Sequence, residues 1–213
     1  MTIVRVNNLT MSLDGYVAGP DQSLEHPLGT GAEDLHDWLV ATKAFRQQHG
    51  MDGGETGTDD DFASRWGRGV GAEIMGRNKF GPVRGPWPDE DWRGWWGESP
   101  PFHTPVFVLT HHPRDPLEME GGTTFYFVTD GVESALAQAR EAAGDLDVTI
   151  GGGALTVREY LEADLIDEMH LVVVPRLLGD GARLFEGIDL TSRFDFEPVV
   201  SSAAAAHFVL KRR

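Results

Sequence analysis

The chain has 213 residues, no cysteine, and 34 acidic against 18 basic side chains, which gives a formal net charge of 18 − 34 = −16. The missing cysteines exclude disulfide scaffolds, thiolate zinc sites and cysteine nucleophiles, and the acidity disfavours binding to nucleic acid or to an anionic membrane. No apolar run approaches the roughly 18–20 residues of a membrane span, and the first residues lack the cleavage pattern of a signal peptide. We therefore expect a cytoplasmic protein with one domain over residues 1–213.

The first 80 residues predict two short strands and one long amphipathic helix. The predicted elements are a strand at 3–9, a loop at 10–30, a helix at 32–48, a glycine- and acid-rich loop at 49–61, a short helix at 61–68 and a strand at 72–75. The long helix is predicted because its apolar positions recur with helical spacing. These positions are Leu35, Trp38, Leu39, Thr42 and Phe45.

Residues 81–104 hold four of the six tryptophans (Trp87, Trp92, Trp95 and Trp96) together with five prolines. So many prolines exclude regular structure, yet the aromatic rings favour burial. The segment is either a loop packed over a pocket or an interface with another protein, and the sequence does not choose between the two.

The second half of the chain alternates between strands and helices. We predict strands at 105–109, 123–128, 146–150 and 168–174, helices at 131–143 and from 154 to 163, and two β-rich runs at 194–200 and 204–210. This alternation predicts an α/β sheet with a closing antiparallel edge.

The run Gly151-Gly152-Gly153 is the most informative motif, because a buried strand leads through it directly into a helix. Glycines let the backbone turn tightly and approach a ligand, and a helix N-terminus offers free N–H groups to a phosphate. The run is neither the GxGxxG pattern of dinucleotide-binding folds nor a P-loop. A simple tight turn remains the alternative interpretation.

Three more strand ends carry polar or basic residues. Gly76-Arg77-Asn78 and Thr110-His111-His112 each follow a predicted strand, and Asp14-Gly15 follows the first one. Each run by itself is compatible with an ordinary polar turn. Adjacent histidines point in different directions on most backbones, so we predict no metal site. Together, the basic strand ends favour an anionic small ligand.

In this order the motifs resemble the dihydrofolate-reductase-like family, and within it the reductase domain of bacterial riboflavin biosynthesis. The resemblance spans residues 3 to about 210. It is carried by Ser12-Leu13-Asp14-Gly15, Met75-Gly76-Arg77, Leu109-Thr110, Gly151-Gly152-Gly153, Leu165-Ile166-Asp167-Glu168 and the run from Pro175 through Leu178-Gly179-Asp180-Gly181 to Leu184-Phe185.

The resemblance implies a dihydrofolate-reductase-like three-layer sandwich, with a mostly parallel central sheet, antiparallel edge strands and helices on both faces. It also implies an NADPH-dependent reductase that forms a homodimer. The residues that match the family's cofactor site are Gly76, Arg77, Asn78, Thr110, His111, His112, Gly151, Gly152, Gly153, Ala154 and Leu155. NADH is the less expected cofactor, although His111-His112 replaces the residues more usual at a 2′-phosphate.

Asp14 and Gly15 match the family's loop over nicotinamide and substrate. We expect Asp14 to handle a proton, since a carboxyl group in a half-closed pocket can have its pKa raised toward neutrality. Asp37 is the rival catalytic candidate, because Asp37-Trp38 loosely matches the helix from which folate reductases project an acidic residue. In that interpretation Trp38 contacts the substrate. The plain alternative is that Asp37 is a solvated residue of the first helical turns.

The resemblance implies reduction of a small heterocyclic (pyrimidine- or pterin-like) or carbonyl substrate, as in 5-amino-6-(5-phosphoribosylamino)uracil reductase. The zinc deaminase domain that often accompanies this reductase is excluded, since its cysteine motif is absent. The competing hypothesis is a non-catalytic ligand-binding or interaction protein that uses the tryptophan-rich segment 82–104. That segment and the strand at 168–174 are the candidate dimer surfaces.

Overall fold

A sheet of mainly parallel strands runs through the molecule. The structure, a computed structural model, describes residues 2–88 and 91–213. Its strands are β1 (Val4–Ser12), β2 (Tyr16–Ala18), β3 (Val70–Gly76), β4 (Pro105–Leu109), β5 (Leu117–Glu118), β6 (Thr124–Val128), β7 (Asp147–Ile150), β8 (Glu168–Val174), β9 (Ala182–Arg183), β10 (Phe194–Phe196), β11 (Val200–Ser201) and β12 (Ala206–Arg212). Its helices are α1 (Asp37–Val40), α2 (Lys43–Gln48), α3 (Thr58–Ala63), α4 (Arg77–Phe80), α5 (Val132–Ala143) and α6 (Ala154–Glu162).

The strand order across the sheet is β10-β12-β8-β1-β7-β3-β4-β6-β5, with β11 added beside β12. The strands from β8 to β6 in this order are all parallel. The pairs β8–β12, β10–β12, β11–β12 and β5–β6 are antiparallel and form the two edges. The carboxyl ends of the parallel strands therefore meet at one rim, which is where α/β sheets bind their ligands.

One face of the sheet is covered by α5 and α6. The apolar side predicted for α5 is confirmed, since Ala135, Leu136, Ala139 and Ala143 are buried against the sheet. Tyr160 of α6 is fully buried, and its hydroxyl donates a 2.8 Å hydrogen bond to the carbonyl oxygen of Val132. This bond ties the start of α5 to the middle of α6. No helix of the described ranges is long and apolar enough to cross a bilayer.

The opposite face is covered by two separate clusters. In the first, Trp38 of α1 packs on Val172 and Val174 of β8 and donates a 2.9 Å hydrogen bond from Nε1 to the Thr10 hydroxyl. In the second, the rings of the tryptophan-rich segment pack on the apolar side chains of α4, β4 and β6. Its members include Trp87, Trp92, Trp96, Phe102, Phe80 and Phe125. The segment is thus a loop packed on the sheet, and with helices on both faces the molecule has three layers.

The continuous helix predicted over 32–48 is wrong, because residues 32–36 form turns before α1 and Thr42 separates α1 from α2. Thr42 is extended (φ −69°, ψ 150°), its hydroxyl accepts a 3.2 Å bond from the Phe45 N–H, and it caps α2. Backbone groups on either side of Thr42 bond to Glu55, from Lys43 N–H to Glu55 O and from Glu55 N–H to Ala41 O. The Thr42 hydroxyl and the backbone of Glu55 therefore bond to backbone groups that would pair with each other inside a continuous helix.

The short helix predicted at 61–68 lies earlier, at Thr58–Ala63. The strand at 168–174 is wrong as a dimer surface, because β8 lies inside the sheet between β1 and β12 and most of its side chains are buried. The two β-rich runs of the tail do form the predicted antiparallel edge.

We expect Thr42→Ala to lower the free energy of unfolding by about 1–2 kcal/mol, because the α2 cap and a buried hydroxyl bond are both lost. Urea unfolding followed by circular dichroism measures this. Thr56→Ala is the matched control, since Thr56 is exposed and follows Glu55 in the loop that pairs with Thr42. Equal stabilities of the two variants would contradict the role of Thr42.

Candidate functional site

A cavity of about 1050 Å³ opens at the carboxyl rim of the parallel strands. Its walls are the turn after β7, the start of α4, the residues after β4, the α1–α3 region and the tryptophan-rich segment. Single ligand pockets usually span about 300–1,000 Å³. The cavity therefore lies at the upper end of the size range of ligand pockets.

The glycine turn is fixed to the neighbouring strand β3 by two backbone bonds. The Gly151 N–H donates to Ile74 O at 2.8 Å, and the Gly76 N–H donates to Gly152 O at 2.9 Å. Gly152 has φ +106°, which favours glycine, and the Gly152–Gly153 peptide bond is cis. No side chain caps α6 at Gly153. The N–H groups of its first turn are therefore available to a ligand.

Arg77 is the strongest sign of an anionic ligand. Its Nη1 donates to the Thr110 hydroxyl at 3.3 Å and to Gly85 O at 3.2 Å, and the guanidinium lies over the Trp87 ring, 3.2 Å from its centroid. Nε and Nη2 are buried and have no partner among the described residues. Burial, and next the charges of Arg114 and Arg84, lower the pKa of Arg77. Buried donors without partners are costly, so a phosphate fits here.

All eleven residues predicted to bind a cofactor lie on the wall of this one cavity: Gly76, Arg77, Asn78, Thr110, His111, His112, Gly151, Gly152, Gly153, Ala154 and Leu155. The Asn78 amide nitrogen donates to Gln22 Oε1 at 3.2 Å, whereas its Oδ1 is buried without a partner among the described residues. The His112 N–H donates to the Thr110 hydroxyl at 3.1 Å and shapes the loop after β4. The three strand ends therefore converge as the sequence predicted.

The rest of the cavity wall carries further ionisable residues. Lys79, the second base of the strand-end run that begins at Gly76, forms a 2.8 Å ion pair with Glu73, which is 3% exposed and lies beneath Gly151. Burial, and then the charge of Lys79, lower the pKa of His36 to about 4, against a smaller opposing effect of Asp37. His36 is therefore neutral at pH 7. Sequence reasoning missed His36, whose only signal is its position beside Asp37.

Asp14 lies outside the cavity, and the expectation of a raised pKa is wrong. Its carboxylate accepts bonds from the Ser12 hydroxyl at 2.6 Å, the Gly179 N–H at 2.8 Å and the Leu178 N–H at 3.1 Å. These bonds, that of Ser12 first, lower its pKa to about 2. Gly15 lies in the same turn, where its carbonyl accepts from the Leu184 N–H. Asp14 holds two distant turns together.

Asp37 and Trp38 do not reach the cavity either. Asp37 is an exposed residue in the first turn of α1, and its charge acts on the neighbouring His36. Trp38 is 3% exposed and belongs to the packing between α1 and β8. The structure therefore places the four residues Asp14, Gly15, Asp37 and Trp38 away from the cavity wall.

We expect Asp14→Asn to be less stable than the parent protein at pH 6, with a difference that disappears in acid. A carboxylate with a lowered pKa contributes stability that is complete above its unfolded pKa of 3.8. That contribution is lost as pH falls through the folded value of about 2. Thermal unfolding between pH 7 and pH 2 measures it, with Asp37→Asn as the exposed control. A difference that stays constant down to pH 2 would contradict the interpretation.

The sequence matches the family described as the RibD C-terminal domain over residues 4–208. Uncharacterized protein YwjB of Bacillus subtilis (strain 168) is 27% identical over 185 residues, covering 83% of this chain and 79% of YwjB. A crystal structure from Shewanella sp. PV-4, named for riboflavin biosynthesis, is 26% identical with a TM-score of 0.55, covering 100% of this chain and 98% of that one.

The fold is also that of Enterococcus faecalis dihydrofolate reductase, whose structure is a complex with NADP(H) and RAB-propyl. The two chains are 14% identical with a TM-score of 0.53, covering 100% of this chain and 96% of the reductase. At that identity the likeness shows the fold alone. The family match, in contrast, spans nearly the whole chain. The chain belongs to the RibD C-terminal domain family and has the dihydrofolate-reductase-like fold.

Proposed function

We propose that the protein is an NADPH-dependent reductase that transfers a hydride to a small heterocyclic or carbonyl substrate, with a pyrimidine like that of 5-amino-6-(5-phosphoribosylamino)uracil reductase as the leading candidate. The family is that of the RibD reductase domain, which is consistent with an oxidoreductase. The observation that carries the proposal is the convergence of three strand ends and the partnerless Arg77 donors on one cavity.

The residues present fit a phosphorylated dinucleotide. The N–H groups at the start of α6 and the glycine turn suit a pyrophosphate, because they offer donors without side chains in the way. Arg77, with Arg84 and Arg114 close enough to act on its pKa, concentrates positive charge in an otherwise acidic chain. We assign this cluster to the 2′-phosphate, which favours NADPH over NADH.

The nicotinamide, when bound, supplies the hydride. Reduction of a C=N or C=O bond also consumes one proton, which the protein must deliver from the substrate side. The groups there include neutral His36 and the Lys79 ammonium held by Glu73. A neutral imidazole releases no proton at this pH, so we assign proton supply to the Lys79 ammonium in place of Asp14. The rings of Trp66, Trp96 and Phe102 on the same wall exclude water.

The non-catalytic alternative assigns the tryptophan-rich segment to a protein partner. Trp87, Trp92 and Trp96 pack instead on the core cluster of α4, β4 and β6. Trp92 Nε1 also donates a 2.9 Å hydrogen bond to Phe80 O. These contacts make the segment a wall of the cavity, so the structure favours the reductase over an interaction module.

We expect Arg77→Gln to weaken NADPH binding about 10–100-fold, because charge-assisted bonds to a phosphate are each worth about 1.5–3 kcal/mol. NADH lacks the 2′-phosphate, so its dissociation constant in the same variant is the internal control. Tryptophan fluorescence titration with both nucleotides measures the change. An equal loss of both affinities would remove the 2′-phosphate assignment, and absence of NADPH binding by the parent protein would overturn the reductase proposal.

Gly153→Ala tests the pyrophosphate assignment without straining the fold. Gly153 has φ −79°, and a Cβ added there meets no atom within 4 Å, so the methyl group projects into open space beside the turn. We expect an unchanged melting temperature and at least about tenfold weaker binding of both nucleotides, because close approach of the backbone is blocked. Unchanged affinity for both nucleotides in this folded variant would overturn the assignment of the glycine turn to the pyrophosphate.

A further inference from the structure

A chain of hydrogen bonds runs from the cavity along one face of the sheet, across β8 and β12, to α3. Asn8 Oδ1 lies 2.8 Å from His170 Nδ1, His170 Nε2 lies 3.0 Å from His207 Nδ1, and His207 Nε2 lies 2.8 Å from Asp59 Oδ1. The four residues come from β1, β8, β12 and α3. Nothing in the proposed reduction has so far used them.

The two imidazoles are buried and rigidly packed. His170 is 6% exposed and His207 is 1% exposed. The Phe62 ring stacks on both, with centroid distances of 4.5 and 4.3 Å, and Trp38 meets His207 edge-on at 5.3 Å. Polar groups in such surroundings keep their hydrogen bonds, because an unpaired buried donor is costly. The chain is therefore a fixed part of the fold.

Asn8 is the end of the chain that reaches the cavity. The pairing of β1 with β8 shifts register between Val6 and Leu9, and Asn8 within this bulge has φ +52°. Bulges often turn a side chain toward a functional site. Asn8 lies on the cavity wall. Its Oδ1 is taken by His170, whereas its Nδ2 forms no hydrogen bond to the described part of the chain.

Proton counting shows that the amide orientation and the histidines are coupled. With Oδ1 accepting, His170 carries its proton on Nδ1, its Nε2 accepts from His207 Nδ1–H, and the Asp59 carboxylate accepts from His207 Nε2–H. Burial, with the nearby charges of His207 and Arg65, lowers the pKa of His170 to about 3, so this ring stays neutral. If His207 Nδ1 instead accepted from His170 while Nε2 still donated to Asp59, the two bonds made by His170 would reverse. Asn8 would then turn its Nδ2 toward His170.

We propose that Asn8 contacts the substrate, presenting its NH₂ group to a carbonyl oxygen, and that His170, His207 and Asp59 are positioning residues that fix this orientation. The inference deepens the proposed reductase function and rests on it, because the molecule that Asn8 contacts is the substrate of that reductase. It implies a substrate that offers an acceptor, rather than a donor, to the β1 side of the cavity.

The hydrogen positions can be tested without any ligand. ¹⁵N NMR of the histidine rings in the full chain is expected to show the Nδ1–H tautomer for His170. In Asp59→Ala the carboxylate acceptor is gone and the new side chain neither accepts nor donates, so nothing fixes the direction of the chain and we expect signals of both His170 tautomers. Asp61→Ala, which removes an exposed acid of the same helix, is the control. An Nε2–H tautomer of His170 in the parent protein would overturn the proposal.

The ligand contact is tested with two small probes, uracil, which offers carbonyl acceptors, and 2,4-diaminopyrimidine, which offers amino donors. Binding to the NADPH-loaded protein is followed by tryptophan fluorescence. We expect the parent protein to prefer uracil by at least about tenfold and Asp59→Ala to lose that preference. Asn8→Asp keeps the acceptor for His170 but loses the donor, so it is expected to weaken uracil binding alone, with unchanged NADPH affinity and melting temperature.

The outcomes separate the two proposals. Equal probe preferences in all variants, or no binding of uracil by the parent protein, would overturn the role of Asn8 and leave NADPH binding as independent support for the reductase. A parent protein that binds no NADPH would overturn the reductase proposal, while the histidine spectra would still decide the hydrogen-bond arrangement.

Discussion

The cavity depends on the attachment of the glycine turn to β3. The two backbone bonds, Gly151 N–H to Ile74 O and Gly76 N–H to Gly152 O, hold the start of α6 beside the start of α4. Glu73 and Lys79 lie directly against Gly151, so any side chain there would displace the ion pair. The free N–H groups at the start of α6, the Arg77 guanidinium and the Lys79 ammonium are thus placed by a single junction between neighbouring parallel strands.

Electrostatics explains how an acidic chain can carry a local site suited to a small anion. Net charge governs long-range attraction, whereas selectivity arises where a few cations are desolvated together. Arg77 loses water to Trp87 and to the loop after β4, and its neighbours Arg84 and Arg114 add like charge. A ligand phosphate relieves this repulsion. The overall charge of −16 therefore excludes extended polyanions without excluding a small one.

The sequence predicts the strands and the ligand rim well, because buried apolar runs ending in glycine or basic residues are local signals. Thr42 was misinterpreted because helical periodicity does not reveal a hydroxyl cap or a partner such as Glu55 on a later loop. Asp14 was misplaced because its donors at 178 and 179 are remote in sequence. His170 and His207 gave no signal, since only the pairing of β8 with β12 brings them together.

The position of β1 has a consequence for the order of folding. β1 is hydrogen-bonded to β7 and β8, so Val4 pairs with Val148 and Arg5 with Glu168. β3 also reaches β1 only through β7. During synthesis the first strand therefore has no partner in the central sheet until residues 147–174 have emerged. Such distant pairing slows folding and leaves strand edges exposed in the meantime. Assembly of the carboxyl rim of the parallel strands is therefore among the last steps of folding.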